Sequence, residues 1–280
     1  MKKLSDFRAD KQQGRKITVL TAYDYPTAVF QDRAGVDILL VGDSVGRNIL
    51  GYDSELEVTM DDMLHHVRAV ARGAKDGHVM ADMPYKSFDT REQALENARR
   101  FMAAGAHSVK IEGEQEVVDR IKHVVDAGID VCAHIGYTPQ TRGKAAVQGK
   151  DVERARELID AARQLDAAGA GMVVFELIPE LLAKEITALV SMPTIGIGAG
   201  RYCDGQVQVY CDIIGLSGRI FRHAKAYDDL GKRYEEIFAA YVADVTAGRF
   251  PTGENAATLP DDVAAEIRAW VADTFGGSGK

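Results

Sequence analysis

The sequence predicts a (β/α)8 TIM barrel with a C-terminal helical extension. Eight short apolar runs alternate with amphipathic stretches between Ile17 and about Asp212, and wholly helical patterns follow Tyr227. Strands that alternate with helices build parallel sheets, and eight such units close into a barrel. The connection before the eighth run is short for a helix, so an open doubly wound sheet remains the alternative. We favour the barrel.

The predicted elements follow one another in a regular order. The strands begin at Ile17, Val36, His78, Ala106, Asp130, Gly171, Pro193 and Val207. Helical patterns lie between most of them, and several end in Ala-Gly, where glycine suits the residue that closes a helix. We therefore predict a catalytic barrel over residues 1–225. Residues 226–280 are predicted to form helices that pack on the barrel or on a neighbouring subunit.

Composition excludes several classes of function. The 280 residues carry a net charge of −8, which argues against nucleic-acid and acidic-membrane partners because both need a basic face. No apolar run approaches the ~20 residues of a membrane helix, and the polar start is unlike a signal peptide. The three cysteines lack zinc-type spacing, so we expect a reduced, cytoplasmic protein.

Three successive predicted strands end on a carboxylate. The run "DILLVGDSVG" is apolar until Asp43, and Asp82 and Glu112 end the third and fourth strands. Barrel active sites lie at the C-terminal ends of the strands, and neighbouring strands are about 4.8 Å apart. The three acids can therefore converge, and an oxygen-only ligand set suits a hard cation such as Mg²⁺. Each acid alone is more often a helix cap or a loop residue.

Three further residues belong to the same strand ends. Lys110 shares a strand face with Glu112, so it is either a counter-ion of the acids or a ligand for a substrate carboxylate. His134 ends the fifth strand and is as often a structural residue. Glu176 lies among apolar residues, where an unpaired carboxylate is costly, and it suits a general base. Together they favour proton abstraction next to a carbonyl, assisted by a metal.

Seven segments carry a resemblance to a known family. They are, in order, "TAYDYPTA", "LLVGDSVG", "ADMPY", "VKIEGE", "CAHIGYTPQ", "GIGAGRYCDGQVQVYCDIIGL" and "YDDLGKRY", and the likeness as a whole extends from about residue 3 to 251. In these segments the sequence resembles the ketopantoate (3-methyl-2-oxobutanoate) hydroxymethyltransferases. That family belongs to the phosphoenolpyruvate mutase and isocitrate lyase superfamily of barrels. Its members are typically cytoplasmic and decameric, so the resemblance implies a homo-oligomer.

The resemblance also implies an activity. These enzymes transfer a one-carbon unit from methylene-tetrahydrofolate to 2-oxoisovalerate in pantothenate biosynthesis, with one Mg²⁺ per subunit. Carried over by position, the metal would be held by Asp43 and Asp82, with Glu112 nearby, directly or through water. Ser44, Asp82 and Lys110 would hold the oxoacid. His134 would line the pocket, and Glu176 would be the proton acceptor.

The sequence departs from the family pattern at the rim loops. The loop after Gln140 is short and lacks paired glycines, Glu55-Leu56-Glu57 replaces a small-polar and proline stretch, and the helix beyond Pro251 is extra. Rim loops set substrate choice. Two alternatives therefore stay open: an aldolase or C–C lyase that acts on another 2-oxoacid with the same metal site, and a metal-binding barrel without catalysis.

Overall fold

Eight parallel strands close into a barrel. The structure, a computed structural model, describes residues 2–218 and 221–276. The strands are β1 Ile17–Thr21, β2 Ile38–Val41, β3 His78–Asp82, β4 Ser108–Glu112, β5 Asp130–Gly136, β6 Met172–Glu176, β7 Thr194–Ile197 and β8 Gly205–Gln208. Each strand pairs with the next in the chain, and β8 pairs with β1. The predicted barrel is confirmed, and the open sheet is excluded.

Helices surround the barrel and precede it. They are α1 Phe7–Gln12, α2 Tyr25–Ala34, α3 Met60–Gly73, α4 Arg91–Ala104, α5 Val118–Asp126, α6 Val152–Ala167, α7 Glu180–Leu189 and α8 Tyr210–Ile213. No helix lies between β7 and β8, where residues 198–204 form bends and a loop. The apolar run that begins at Val207 is only partly strand, because its second half forms α8. Since β8 begins at Gly205, the predicted start of the eighth strand is two residues late.

Alternation along the strands separates an inner from an outer core. Inward residues such as Ile38, Met80 and Met172 form one buried cluster, and outward residues contact the helices in another. Leu4 and Phe7 are fully buried in the inner cluster. The polar N-terminal segment thus closes the barrel at the end opposite the C-terminal ends of the strands. The site residues predicted from the sequence lie at the other end.

The C-terminal helices form a separate unit. Residues 1–229 are one compact unit and residues 230–280 another, of which 277–280 lie outside the described residues. The second unit contains α9 Leu230–Thr246 and α10 Asp261–Phe275. The predicted boundary at residue 225 lies within four residues of this division. That these helices pack on the barrel or on a neighbouring subunit stays a prediction.

Two structural findings bear on the composition arguments. Within residues 2–218 and 221–276, every helix is too short or too polar to cross a membrane. Cys132, Cys203 and Cys211 are buried and carry no disulfide.

Candidate active site

A cavity of about 690 Å³ opens at the C-terminal ends of the strands. All seven residues predicted from the sequence line it: Asp43, Ser44, Asp82, Lys110, Glu112, His134 and Glu176. The strands and the turns that follow them therefore bring the predicted residues to one place. A volume of this size accommodates more than a small oxoacid, since pockets for drug-sized ligands range from about 300 to 1,000 Å³.

Asp43 and Ser44 reach the cavity because the chain turns directly after β2. The Val45 N–H donates to the Gly42 carbonyl, and the Gly46 N–H donates to the Asp43 carbonyl. This turn brings the buried Asp43 towards β3, where its backbone N–H donates to Asp82 Oδ2 over 3.3 Å. Strand alternation alone would have directed Asp43 away from the barrel interior.

Lys110 and Asp82 form a buried ion pair. Lys110 Nζ lies 2.7 Å from Asp82 Oδ2, and both side chains are almost completely shielded from solvent. Burial, together with the nearby Asp43 and Glu112 charges, raises the pKa of Asp82 to about 7 despite the lysine. Burial lowers the pKa of Lys110, but the three carboxylates outweigh it and raise the pKa above its usual value. Lys110 is therefore a permanent cation beside clustered acids.

His134 lies between two carboxylates. Its Nδ1 is 3.2 Å from Glu112 Oε2 and its Nε2 is 3.2 Å from Glu176 Oε2. Burial and the Lys110 charge lower the pKa of His134, yet contacts with Glu112 and Glu176 raise it to about 9. The ring is therefore protonated at neutral pH. His134 Nε2 is within ion-pair distance of Glu176 Oε2, but the two atoms do not form an aligned hydrogen bond.

Glu176 is less isolated than its apolar sequence context suggests. Its side chain is 21% exposed, at the wall of the cavity, and His134 is its cationic neighbour. Its carbonyl accepts a hydrogen bond from the Tyr137 N–H over 2.8 Å. A Cβ at Gly136 would lie 2.3 Å from that carbonyl, so only glycine, at φ 102°, allows β5 and β6 to approach here. Leu177 follows with φ 50°, a strained value for a side chain of this size.

The site suits a divalent cation that keeps most of its positions for other ligands. Within the described residues, no group of three His, Cys, Asp or Glu side chains is spaced to enclose a metal ion. Asp82 and Glu112 instead contact Lys110 and His134. However, Asp82 Oδ1 is buried without a hydrogen bond from these residues. Mg²⁺ is commonly held by one or two carboxylates plus water and substrate oxygens, which fits this donor set.

Two buried residues of the site escaped the sequence-based prediction. Gln140 contacts Asp43 and Glu112, and Tyr23 OH lies 2.7 Å from Ser44 Oγ. Both residues occur in segments that carry the family resemblance, and this resemblance is the one sequence feature that could have pointed to them. Neither gives a signal by charge or by strand periodicity, because each is a neutral residue outside the strands.

Comparison with known proteins identifies relatives over nearly the whole chain. Residues 1–253 match the family model described as ketopantoate hydroxymethyltransferase. A 3-methyl-2-oxobutanoate hydroxymethyltransferase of Dehalococcoides mccartyi is 47% identical over 274 residues, covering 96% of this chain and 97% of its own. The corresponding protein of Listeria monocytogenes is 46% identical, covering 94% and 97%.

The coverage corrects one expectation. The family model spans 253 of 280 residues, about 90% of the chain, whereas the D. mccartyi alignment spans 96%. Part of the segment after residue 253 is therefore shared with this relative, and the expectation that the last helix is extra is wrong in that respect.

Solved structures with the same fold are more distant in sequence. A phosphonopyruvate hydrolase in complex with oxalate and Mg²⁺ superposes with a TM-score of 0.59 at 14% identity, covering 98% of this chain and 99% of that one. A 2,3-dimethylmalate lyase of the phosphoenolpyruvate mutase and isocitrate lyase superfamily gives 0.58 at 16% identity, covering 97% and 100%. These similarities establish the fold, and the family model and curated relatives establish the family. The chain belongs to the ketopantoate hydroxymethyltransferase family, whose members are transferases.

Proposed function

We propose that this enzyme transfers a hydroxymethyl group from methylene-tetrahydrofolate to 3-methyl-2-oxobutanoate, giving ketopantoate for pantothenate biosynthesis. The observation that carries the proposal is the position of Glu176 on the wall of a cavity that also holds Lys110 and clustered carboxylates, in a member of this family. A base, a cation and an anionic cluster in one cavity are what enolisation of a 2-oxoacid requires.

The substrate of the first half-reaction is an anion, and the cavity offers it specific donors. Lys110 has a permanent positive charge, and Ser44 supplies a hydroxyl in the turn that follows β2. These two residues bind the oxoacid in the proposed complex. Asp43, Asp82 and Glu112 would hold Mg²⁺, directly or through water. When bound, the cation supplies electrophilic stabilisation of the negative charge that develops on the oxoacid.

Glu176 takes the proton in the proposed reaction. The C3 carbon of 3-methyl-2-oxobutanoate carries one hydrogen next to the carbonyl, and Glu176 Oε2 accepts it while the C–H electrons form the enolate. His134, protonated and 3.2 Å away, holds the Glu176 carboxylate in place and balances its charge. The enolate carbon then bonds to the methylene carbon of the folate as one of the two C–N bonds of that carbon breaks. Water displaces the second folate nitrogen and supplies the hydroxyl group, and the two nitrogens take up one proton from that water and the one that Glu176 removed.

The experiment that tests the proposal separates the two halves of the reaction. Proton NMR of 3-methyl-2-oxobutanoate in D₂O follows loss of the C3 proton signal, with enzyme, with and without Mg²⁺, and without folate. We expect exchange that depends on Mg²⁺, and formation of ketopantoate once methylene-tetrahydrofolate is added.

The other outcomes point to the alternatives. Exchange of a different 2-oxoacid alone would keep the enolisation chemistry and discard the pantothenate assignment. If no oxoacid exchanges its proton but the enzyme cleaves a hydroxy or dicarboxylic acid without folate, the enzyme is a lyase. Absence of both activities would indicate a barrel without catalysis.

A further inference from the structure

Gln140 is a buried amide in the loop that follows β5. Only 4% of the residue is exposed, whereas the loop residues directly after Arg142 are exposed. A tight turn fixes it: the Arg142 N–H donates to the Thr138 carbonyl over 2.8 Å, and the Thr138 and Thr141 hydroxyl oxygens lie 2.7 Å apart. The side chain at the apex of this turn therefore has one defined place.

Gln140 donates hydrogen bonds to the ends of three other strands or the turns after them. Its side-chain Nε2 donates to Asp43 Oδ2 over 2.9 Å and to the Met83 carbonyl over 3.0 Å. Its backbone N–H donates to Glu112 Oε1 over 2.7 Å. Both side-chain partners are acceptors, so the amide has only one possible orientation, since the reversed amide would place its oxygen against two oxygens. The loop after β5 is thereby tied to the ends of β2, β3 and β4.

Gln140 donates to the two carboxylates that do not form the ion pair with Lys110. Lys110 pairs with Asp82, whereas the side-chain amide of Gln140 donates to Asp43 and its backbone N–H donates to Glu112. A lysine or arginine in this position would neutralise the carboxylate and compete with a bound cation. A neutral donor instead holds the carboxylate still and leaves its negative charge available.

We propose that Gln140 is a positioning residue, whose amide holds Asp43 in the orientation in which the acid cluster binds a divalent cation. This inference rests on the proposed function for the presence of the cation. In this role Gln140 does not contact the substrate. Loss of its side-chain amide should lower the affinity for the cation and not only the stability of the protein.

The test is a titration of the full-length protein with Mn²⁺ alone, without substrate, followed by the electron paramagnetic resonance signal of free Mn²⁺. Gln140→Met keeps the length of the side chain and removes both of its donors, while the backbone bond to Glu112 stays. We expect Mn²⁺ to bind about 10- to 100-fold more weakly, the usual effect of removing a residue that orients a metal ligand.

The matched control is Gln148→Met, the same chemical change in the same loop. The Gln148 side-chain amide donates to the nearby Ala146 carbonyl, outside the cavity, and the variant keeps the backbone bond of residue 148 to Leu177. The Mn²⁺ affinity of Gln148→Met should therefore stay within twofold of the wild type. A purely structural role of Gln140 would lower the melting temperature and leave Mn²⁺ affinity unchanged. An affinity of Gln140→Met within threefold of the wild type therefore overturns the proposal.

Two further outcomes are decisive. Should Gln140→Met not fold, as judged by circular dichroism, Gln140→Asn replaces it, because the shorter amide cannot reach both acceptors. If neither folds, the role is in folding and the inference is overturned. Wild-type protein that binds Mn²⁺ but exchanges no oxoacid proton refutes the proposed function alone, and the two variants still decide on Gln140. Wild-type protein that binds no Mn²⁺ refutes both.

Discussion

His134 Nε2 and Glu176 Oε2 lie 3.2 Å apart at the wall of the cavity, and the imidazole ring holds Glu112 on its other side. The pair places a protonated ring beside the carboxylate that we propose as the base. Glu176→Gln keeps the shape of this side chain and removes its basicity. We expect C3 proton exchange in D₂O to fall by about 10²- to 10⁴-fold, the usual contribution of a general base.

The same variant should leave cation binding intact, because Glu176 is not among the acids proposed as ligands. Its Mn²⁺ affinity should stay within about twofold of the wild type, an estimate for a residue outside the ligand set. Glu185→Gln, an exposed residue of α7, is the matched control and should exchange at the wild-type rate. Full exchange by Glu176→Gln would show that another group removes the proton.

Lys110→Met should destabilise the protein in a pH-dependent manner. Removal of one partner from a buried ion pair costs about 3–5 kcal/mol in the free energy of unfolding. The pKa of Asp82 is already raised to about 7 by burial and the neighbouring carboxylates, and it should rise further without the lysine. A folded state with a raised acid pKa binds a proton more tightly than the unfolded state, so stability falls as the pH rises through that pKa.

Urea unfolding at pH 6 and pH 8.5 measures this effect. The loss relative to wild type should be larger at pH 8.5, where Asp82 of the wild type is ionised and paired with the lysine, than at pH 6, where the wild-type carboxyl is already largely protonated. Lys122→Met removes an exposed helical ion pair with Asp126 and should change stability by less than about 1 kcal/mol at either pH. Equal losses at both pH values for Lys110→Met would contradict the argument.

Tyr23→Phe should weaken oxoacid binding without changing cation affinity. The Tyr23 hydroxyl is buried, and its contact with Ser44 Oγ fixes the orientation of the serine. Loss of one such hydrogen bond costs about 1–1.5 kcal/mol, which corresponds to a KM for the oxoacid about 5- to 13-fold higher. Steady-state kinetics and the Mn²⁺ titration separate the two effects. Tyr25→Phe, a change at an exposed position two residues on, is the control and should match the wild type. An unchanged KM in Tyr23→Phe would show that the contact with Tyr23 does not orient Ser44 for oxoacid binding.

His78 should make the barrel sensitive to mild acid. The ring is buried at the N-terminal end of β3, with Nε2 2.7 Å from Ser108 Oγ and Nδ1 3.0 Å from the Lys2 carbonyl oxygen. Burial lowers its pKa to about 4, with His107 acting in the same direction, so the unfolded chain binds a proton first as the pH falls. The stabilisation is complete above pH 6.5 and is lost between pH 6.5 and 4.

The expected cost at pH 5 relative to pH 8 is about 2 kcal/mol in the free energy of unfolding. His78→Gln retains a hydrogen-bonding side chain but does not titrate, so its stability should decline less over this range. Urea unfolding of both proteins at pH 8 and pH 5 is the measurement. Parallel declines would assign the acid sensitivity to other groups, such as His107.

The predicted site residues were accessible from sequence because strand ends have a fixed place in a barrel. Asp82, Lys110, Glu112 and Glu176 follow inward alternation at the ends of their strands, so the fold alone brings them together. The same strand-end rule predicts Asp43, although this residue reaches the cavity through the turn after Val41 rather than by alternation. A strand-end carboxylate is thus informative even where alternation does not hold.

The remaining features depend on contacts that periodicity does not record. The eighth apolar run divides into a strand and a short helix at Tyr210, whose N–H donates to Thr21 Oγ1 in a neighbouring strand. Apolar residues suit both structures when both are buried, so the pattern cannot separate them. Gln140 and Tyr23 act through hydrogen bonds between loops and strand ends, and such contacts exist only once the chain is folded.

The close approach of β5 and β6 at Gly136 has a consequence for protein engineering, because the two parts of the following loop differ in the substitutions that they tolerate. A side chain at residue 136 would collide with the Glu176 carbonyl, and the segment up to Arg142 is held by the turn around Gln140. Gly143, in contrast, has open space around its Cβ position and also lines the cavity. Saturation mutagenesis should therefore leave glycine alone active at 136, while the exposed residues 143–147 accept substitution. A library intended to change substrate range belongs in that second part of the loop.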